Sequence, residues 1–220
     1  TEVSPVTGAS KLSPADYLLA WRGKGLAPGR TSWSFDPVPG RVRVIGFDVT
    51  VEGRPYGEAS AERLRWLRGE LYAARKRDLV ILATHQLLMP TCERDLQPAW
   101  SLWMVRNHAE VRGLLAEYPN VRLVLSGHHH ASRVVMDGRT AYTANPAIVT
   151  YPCAFRLFTV DGKGIRLRNI GLDEAAAVAR ARELLASDPY ARLYDHANPQ
   201  SVVAYSLGLT DQDRETSIPW

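Results

Sequence analysis

The stretches Leu79-Val-Ile-Leu-Ala-Thr-His85 and Val121-Arg-Leu-Val-Leu-Ser-Gly-His-His-His130 decide how the chain is read. Each is a short, nearly unbroken apolar run that stops at histidine. Runs of four to eight Val, Ile and Leu are too short for a helix and fit strands buried on both faces. Open sheets flanked by helices place their ligand sites just beyond strand ends. Neutral imidazole is a common ligand of zinc, iron and manganese. Two neighbouring strands that end in imidazoles therefore predict part of a metal site, with His85 on one and His128 and His130 on the other. In extended backbone residues 128 and 130 project alike and His129 points elsewhere. Gly127 is expected to let the backbone turn at the strand end.

Working outward, Ser60 caps a helix running to about Arg77, with a core stripe of Leu64, Leu67, Leu71 and Ala74 that leads into strand 79–84. A second helix is expected over 100–118, closed by Pro119-Asn120 and delivering strand 121–126. Upstream, Thr31–Phe35 and Arg41–Phe47 read as strands joined through Pro37, Pro39 and Gly40. Asp48 reads as a turn or cap. Ser13-Pro14-Ala15-Asp16 reads as the start of a short helix to about Trp21, after an entry loop over residues 1–10. The loop with Gly23, Gly25, Pro28 and Gly29 holds neither G-x-G-x-x-G nor G-K-[ST], so it predicts no phosphate cradle.

Beyond the histidines, Ser132–Met136 and Arg139–Thr143 predict a hairpin about Asp137-Gly138, and Phe155–Val160 with Ile165–Ile170 predict another. The second half of the sheet is thus expected to be antiparallel. From residue 171 the chain is Ala-rich and acidic, with helix starts at Asp173, Asp188-Pro189 and Asn198-Pro199. The fold class is α/β, a mixed layered sheet with flanking helices. Residues 1–170 form one domain, and 171–220 a helical, acidic extension.

At 220 residues, 45% hydrophobic and 23% charged, the composition is that of a globular domain. No apolar run approaches the ~20 residues that span a bilayer, so a soluble chain is expected, with no compartment indicated. Residues 171–220 carry 4 Lys/Arg against 8 Asp/Glu, leaving 23 against 15 in residues 1–170. The basic part suits an anionic ligand, although a solvated face explains most of its arginines. No Lys/Arg cluster with interleaved aromatics marks a nucleic-acid groove. Cys92 and Cys153 have no C-x-x-C spacing and read as buried thiols or one disulfide. The chain opens on Thr1 with no basic-plus-apolar leader, so a processed product or a fragment is expected.

The two histidine-ended stretches resemble the last two of five signature blocks of the calcineurin-like metallophosphoesterase family: a lone His after an apolar strand, and G-H-x-H. The resemblance spans about residues 31–170, including Trp33-Ser-Phe35 and Val44-Ile-Gly-Phe-Asp48. It implies the C-terminal half of a four-layer αββα sandwich. It also implies hydrolysis of a phosphate mono- or diester by a metal-activated hydroxide at a dinuclear site. His85 and His128 would bind one ion and His130 the other, the ions being zinc, manganese or iron. The earlier blocks, D-x-H, G-D and G-N-H, do not occur in the 220 residues, and Thr1-Glu2 is at most a remnant of the third. The chain alone is therefore expected to bind one ion or bind weakly, to hydrolyse little, and to have no catalytic residue of its own. The missing half is a possible separate partner. The alternatives are a non-catalytic phosphoesterase scaffold or subunit, and a mononuclear zinc hydrolase using His85, His128 and His130.

Other polar residues carry weaker readings. His129 reads as a residue that supports the metal ligands or faces the substrate, with simple exposure as the alternative. Asn145 stands where the family's loop approaches the metals, although Asn-Pro is first a turn signal. Arg133 could meet a phosphate with its fork, or be an ordinary strand-edge arginine. His108 is expected partly buried on a helix, His196 solvated, and Trp100 and Trp103 packed on the sheet.

Overall fold

A computed structural model describes residues 13–20, 31–98 and 100–219. The expected entry loop, Thr1-Glu2, Trp21 and the glycine loop at 23–29 lie outside the described residues. The elements, in order, are α1 (Pro14–Ala20), β1 (Trp33–Val38), β2 (Val42–Gly46), α2 (Ala61–Ala74), β3 (Leu79–Thr84), α3 (His108–Ala116), β4 (Val121–Ser126), β5 (Arg133–Asp137), β6 (Thr140–Ala144), β7 (Ala154–Asp161), β8 (Gly164–Gly171), α4 (Ala175–Ser187), α5 (Pro189–Tyr194), α6 (Ser201–Leu207), α7 (Asp211–Arg214) and β9 (Glu215–Pro219).

Six strands form one sheet in the order β1-β2-β3-β4-β6-β5, and β7-β8-β9 form a second. In the larger sheet β2, β3, β4 and β6 run parallel, with β1 and β5 antiparallel at the edges. This corrects the expectation of an antiparallel second half. The hairpin around Asp137-Gly138 forms, but it folds back so that β6 lies parallel beside β4. The 155–170 hairpin leaves that sheet for the other.

The alternating faces of β3 and β4 explain the two sheets. Val80, Leu82 and Val124 pack under Leu67 and Leu71 of α2 and Val111, Leu114 and Leu115 of α3. Leu79, Ile81 and Leu123 face the opposite way, onto Ile165, Leu167 and Ile218 of the second sheet. Burying one such side chain is worth about 1.5–3 kcal/mol, and strands loaded on both faces need both layers. Of the expected α2 stripe, Leu67, Leu71 and Ala74 are buried and Leu64 packs at the margin. Ser60 caps α2 by accepting from the Arg63 N–H.

The helix expected over 100–118 starts only at His108. Before it, residues 101–103 form a single 3₁₀ turn, after which the backbone runs extended. The Val105 N–H donates to the Leu87 carbonyl and the Arg106 N–H to that of Gly57. These tertiary bonds outbid helix propensity, which is a weak prior.

The three expected helix starts past residue 171 appear as α4, α5 and α6. Asp188 caps α5 by accepting from the Tyr190 N–H. Sequence reasoning missed α7 and β9, and β9 pairs antiparallel with β8. α4–α6 do not lie on either sheet's core but gather around Trp100, Ala131 and Tyr151. No described helix is long and apolar enough to cross a membrane. Both cysteines are free.

Candidate metal centre

β3 and β4 run side by side in register, Thr84 opposite Ser126, so His85 and Gly127 leave the sheet together. The Gly127 N–H donates to the His85 carbonyl at 3.0 Å. Beyond that bond the side chains of His85 and His128 converge. Their ring centroids lie 4.6 Å apart, edge to face, and His85 Nε2 is 2.8 Å from His128 Nδ1. Two ring nitrogens at that distance must share a proton or a cation, since two lone pairs repel.

Burial lowers the basicity of both rings. The His128 pKa falls to about 4, through burial and then the like charge of His85, His129 and His130. His85 is lowered by burial and by His130. Near neutral pH both imidazoles are unprotonated, the state that metal ligation requires.

The loop between them is strained. His128 has φ 63° and His130 φ 50°, both in the left-handed region, which costs an L residue roughly 1–2 kcal/mol. This corrects the extended backbone expected for residues 128 and 130. Gly127 is not the left-handed residue, so the turn is made by the histidines themselves. The His129 N–H closes it on the Gly127 carbonyl at 2.7 Å. Non-glycine strain of this kind gathers at functional sites.

His130 does not join the His85–His128 pair. Its Nδ1 is held 3.1 Å from Thr150 Oγ1, and burial lowers its pKa. His129 is turned inward, its side chain 1% exposed, with Nδ1 3.1 Å from the Tyr205 hydroxyl and 3.7 Å from Asp95 Oδ1. Its pKa falls to about 4, because burial outweighs the pull of Asp95. Asn145 sits at the same sheet edge, donating from Nδ2 to the Ser126 carbonyl at 2.9 Å. Arg133 is engaged elsewhere: its guanidinium pairs with Asp213 and donates to the Thr91 carbonyl. Trp103 packs against His128, centroids 4.9 Å apart, and Trp100 against His129, not on the sheet. His196 is exposed.

Buried polar atoms are normally paired, and each exception calls for a cause. Thr84 Oγ1, His128 Nε2 and Asn145 Oδ1 are buried without a hydrogen-bond partner, and all three stand at or just past the ends of β3, β4 and β6. Three of the unpartnered buried atoms of the described residues thus stand at the strand ends where two imidazoles converge, and each can offer a lone pair to a cation. The fit is to a partial site: among the described residues no group of three or more His, Cys, Asp and Glu side chains is arranged to hold a metal ion.

No family model matches the chain. Over 159 residues, 70% of the chain, it is 29% identical to the 3',5'-cyclic adenosine monophosphate phosphodiesterase CpdA of Escherichia coli K12, covering 53% of that protein. It is 40% identical over 91 residues, 41% of the chain, to a probable cyclic nucleotide phosphodiesterase of Rhodococcus erythropolis, covering 28% of that protein. A solved dimetal phosphatase from Danio rerio superposes with a TM-score of 0.53 at 15% identity, over 72% of this chain and 63% of that one. These similarities support the resemblance to the calcineurin-like metallophosphoesterases. The chain spans about half the length of the CpdA relative. The fold is that of calcineurin-like dimetal phosphatases, a mixed sheet with flanking helices.

Sequence reading missed four residues that surround these histidines: Thr91, Asp95, Thr150 and Tyr205. Thr91 and Asp95 stand four apart in sequence, and nothing there ties them to the histidines. Nothing in the sequence marks Tyr205, which reaches the histidines from 76 positions away.

Proposed function

We propose that the chain carries part of a metal-dependent phosphodiesterase site in which His85 and His128 hold one divalent ion and His130 is directed to a second. One observation carries the reading: His85 Nε2 and His128 Nδ1 converge to 2.8 Å at the ends of adjacent parallel strands. When bound, the ion supplies Lewis-acid polarisation of a phosphoryl oxygen. The chain's own contribution is to position: strands β3 and β4 fix the two imidazoles, Thr150 orients His130 through Nδ1, and Trp103 shields one side of the His128 ring.

A cyclic nucleotide, the substrate class named for the two curated relatives, is the proposed substrate. With two convergent histidines and no third ligand grouped with them among the described residues, these residues by themselves bind metal weakly. The same observation lends less support to a mononuclear three-histidine site.

The test is calorimetric titration of the chain with zinc and with manganese, followed by assays on 3',5'-cyclic AMP. Weak zinc binding that disappears in both His85→Ala and His128→Ala is the expected result. Binding that survives both substitutions would overturn the assignment of the ligands. Metal-loaded protein, supplied with the further ligands of a dinuclear site, that leaves cyclic AMP and a chromogenic phosphodiester intact would overturn the activity.

A further inference from the structure

His129 lies between two proposed ligands, yet its side chain is sealed inside the protein. Its surroundings form an ordered chain of hydrogen bonds. Asp95 Oδ2 accepts from the Thr91 N–H at 2.6 Å, from the Thr91 hydroxyl at 2.8 Å and from the Cys92 N–H at 3.2 Å. A hydroxyl has one proton, and that of Thr91 is committed to Asp95. Thr91 Oγ1, 2.8 Å from the Tyr205 hydroxyl, must therefore accept from Tyr205. The Tyr205 proton is then spent in turn, so at 3.1 Å its oxygen accepts from Nδ1–H of His129. The direction of every bond follows from the carboxylate at the end of the chain.

The order fixes a tautomer: His129 carries its proton on Nδ1. It also ties the histidine loop to α6, because Tyr205 is 1% exposed and cannot swing away. A second tie lies just downstream, where the Ser132 N–H donates to the Ser206 carbonyl at 3.0 Å. The left-handed pair His128 and His130 brackets His129, so anchoring that ring holds both strained residues.

We propose that Tyr205 is a positioning residue for the His128–His130 loop, acting through His129. The proposal rests on the reading of His85 and His128 as ligands only in its consequence for metal affinity. Partners that orient metal ligands from outside typically change affinity by about 10–100-fold when removed.

The experiment compares the full chain with Tyr205→Phe, which keeps the buried ring and deletes the hydroxyl. Three quantities are read: zinc affinity, the ¹⁵N signals of the His129 ring, and amide hydrogen exchange over residues 128–132. Zinc affinity is expected to fall by about 10–100-fold, the His129 ring to lose its fixed Nδ1–H form, and loop exchange to quicken while exchange in β3 and β4 holds. In a His129→Phe background the Tyr205→Phe change should add nothing.

A folded Tyr205→Phe protein with unchanged ring signals and unchanged loop exchange would overturn the proposal. So would an effect of equal size in the His129→Phe background. If Tyr205→Phe does not fold, Thr91→Val removes the acceptor of the same hydroxyl and must shift the same signals in the same direction. Wild-type chain that binds no zinc would sink the metal reading alone, since the ring signals and loop exchange still decide the role of Tyr205.

Discussion

On one side of the histidine loop stand β3 and β4, whose Val80, Leu82, Leu123 and Val124 are completely buried. On the other stand α6 and α7, which reach the same stretch through Tyr205, Ser206 and Asp213. The strand side is held by apolar area, which is non-directional and tolerant of detail. The helical side is held by a few hydrogen bonds and an ion pair, each with one geometry that works. Both flanks position the same histidines, but they should fail differently.

The largest loss is expected on the polar flank. Asp213 is 3% exposed; it pairs with Arg133 and accepts from the Val134 N–H at 2.9 Å and from Thr210. Asp213→Ala strands a guanidinium that is only 13% exposed. Removing one partner of a buried pair costs about 3–5 kcal/mol, to be read as a lowered urea midpoint. An unchanged midpoint would mean that α7 does not brace the loop.

On the apolar flank, Leu82→Ala opens a cavity beneath α2 and should cost about 2–5 kcal/mol. The two losses should be nearly additive by double-mutant cycle if the flanks act independently. Strong coupling would erase the distinction between them.

Acid should weaken the loop before the strands. The His128 pKa is held at about 4 in the fold against about 6.5 in an unfolded chain, and His129 is lowered in the same sense. The unfolded chain therefore takes up protons that the folded one refuses. Stability is full above pH ~6.5 and falls as the pH drops toward 4. His128→Gln, His129→Gln and the double substitution should flatten that slope in denaturation profiles at several pH values. The smallest effect belongs to the surface pair Arg68–Glu117, whose side chains are 56% and 50% exposed. Arg68→Ala should leave the midpoint almost unchanged, because exposed ion pairs contribute little.

The same contrast explains what could be read in advance. Leu79–Thr84 and Val121–Ser126 appear in the structure as strands with the bounds expected from their apolar runs, because burial on two faces leaves a continuous mark in sequence. The convergence of His85 with His128 followed from that placement. The left-handed turn at His128 and His130 did not, since the expectation put the turn on Gly127 and the tertiary bonds that sustain the strain leave no local signal. The helix expected from residue 100 failed for the same reason: Val105 and Arg106 are pulled out by Leu87 and Gly57. Tyr205 and Asp213 stayed illegible because what they do depends on residues far away along the chain.

The pairing of β9 with β8 makes everything between them a closed loop in the polymer sense, pinned where Arg168 stands opposite Glu215. Closure entropy grows only logarithmically with contour length, so doubling such a loop costs about 0.6 kcal/mol. Length in the α4–α5 stretch is thus thermodynamically cheap. The places at which Tyr205 and Asp213 touch down are not, and divergence in this segment should be written as insertions and deletions that leave those two landings in place.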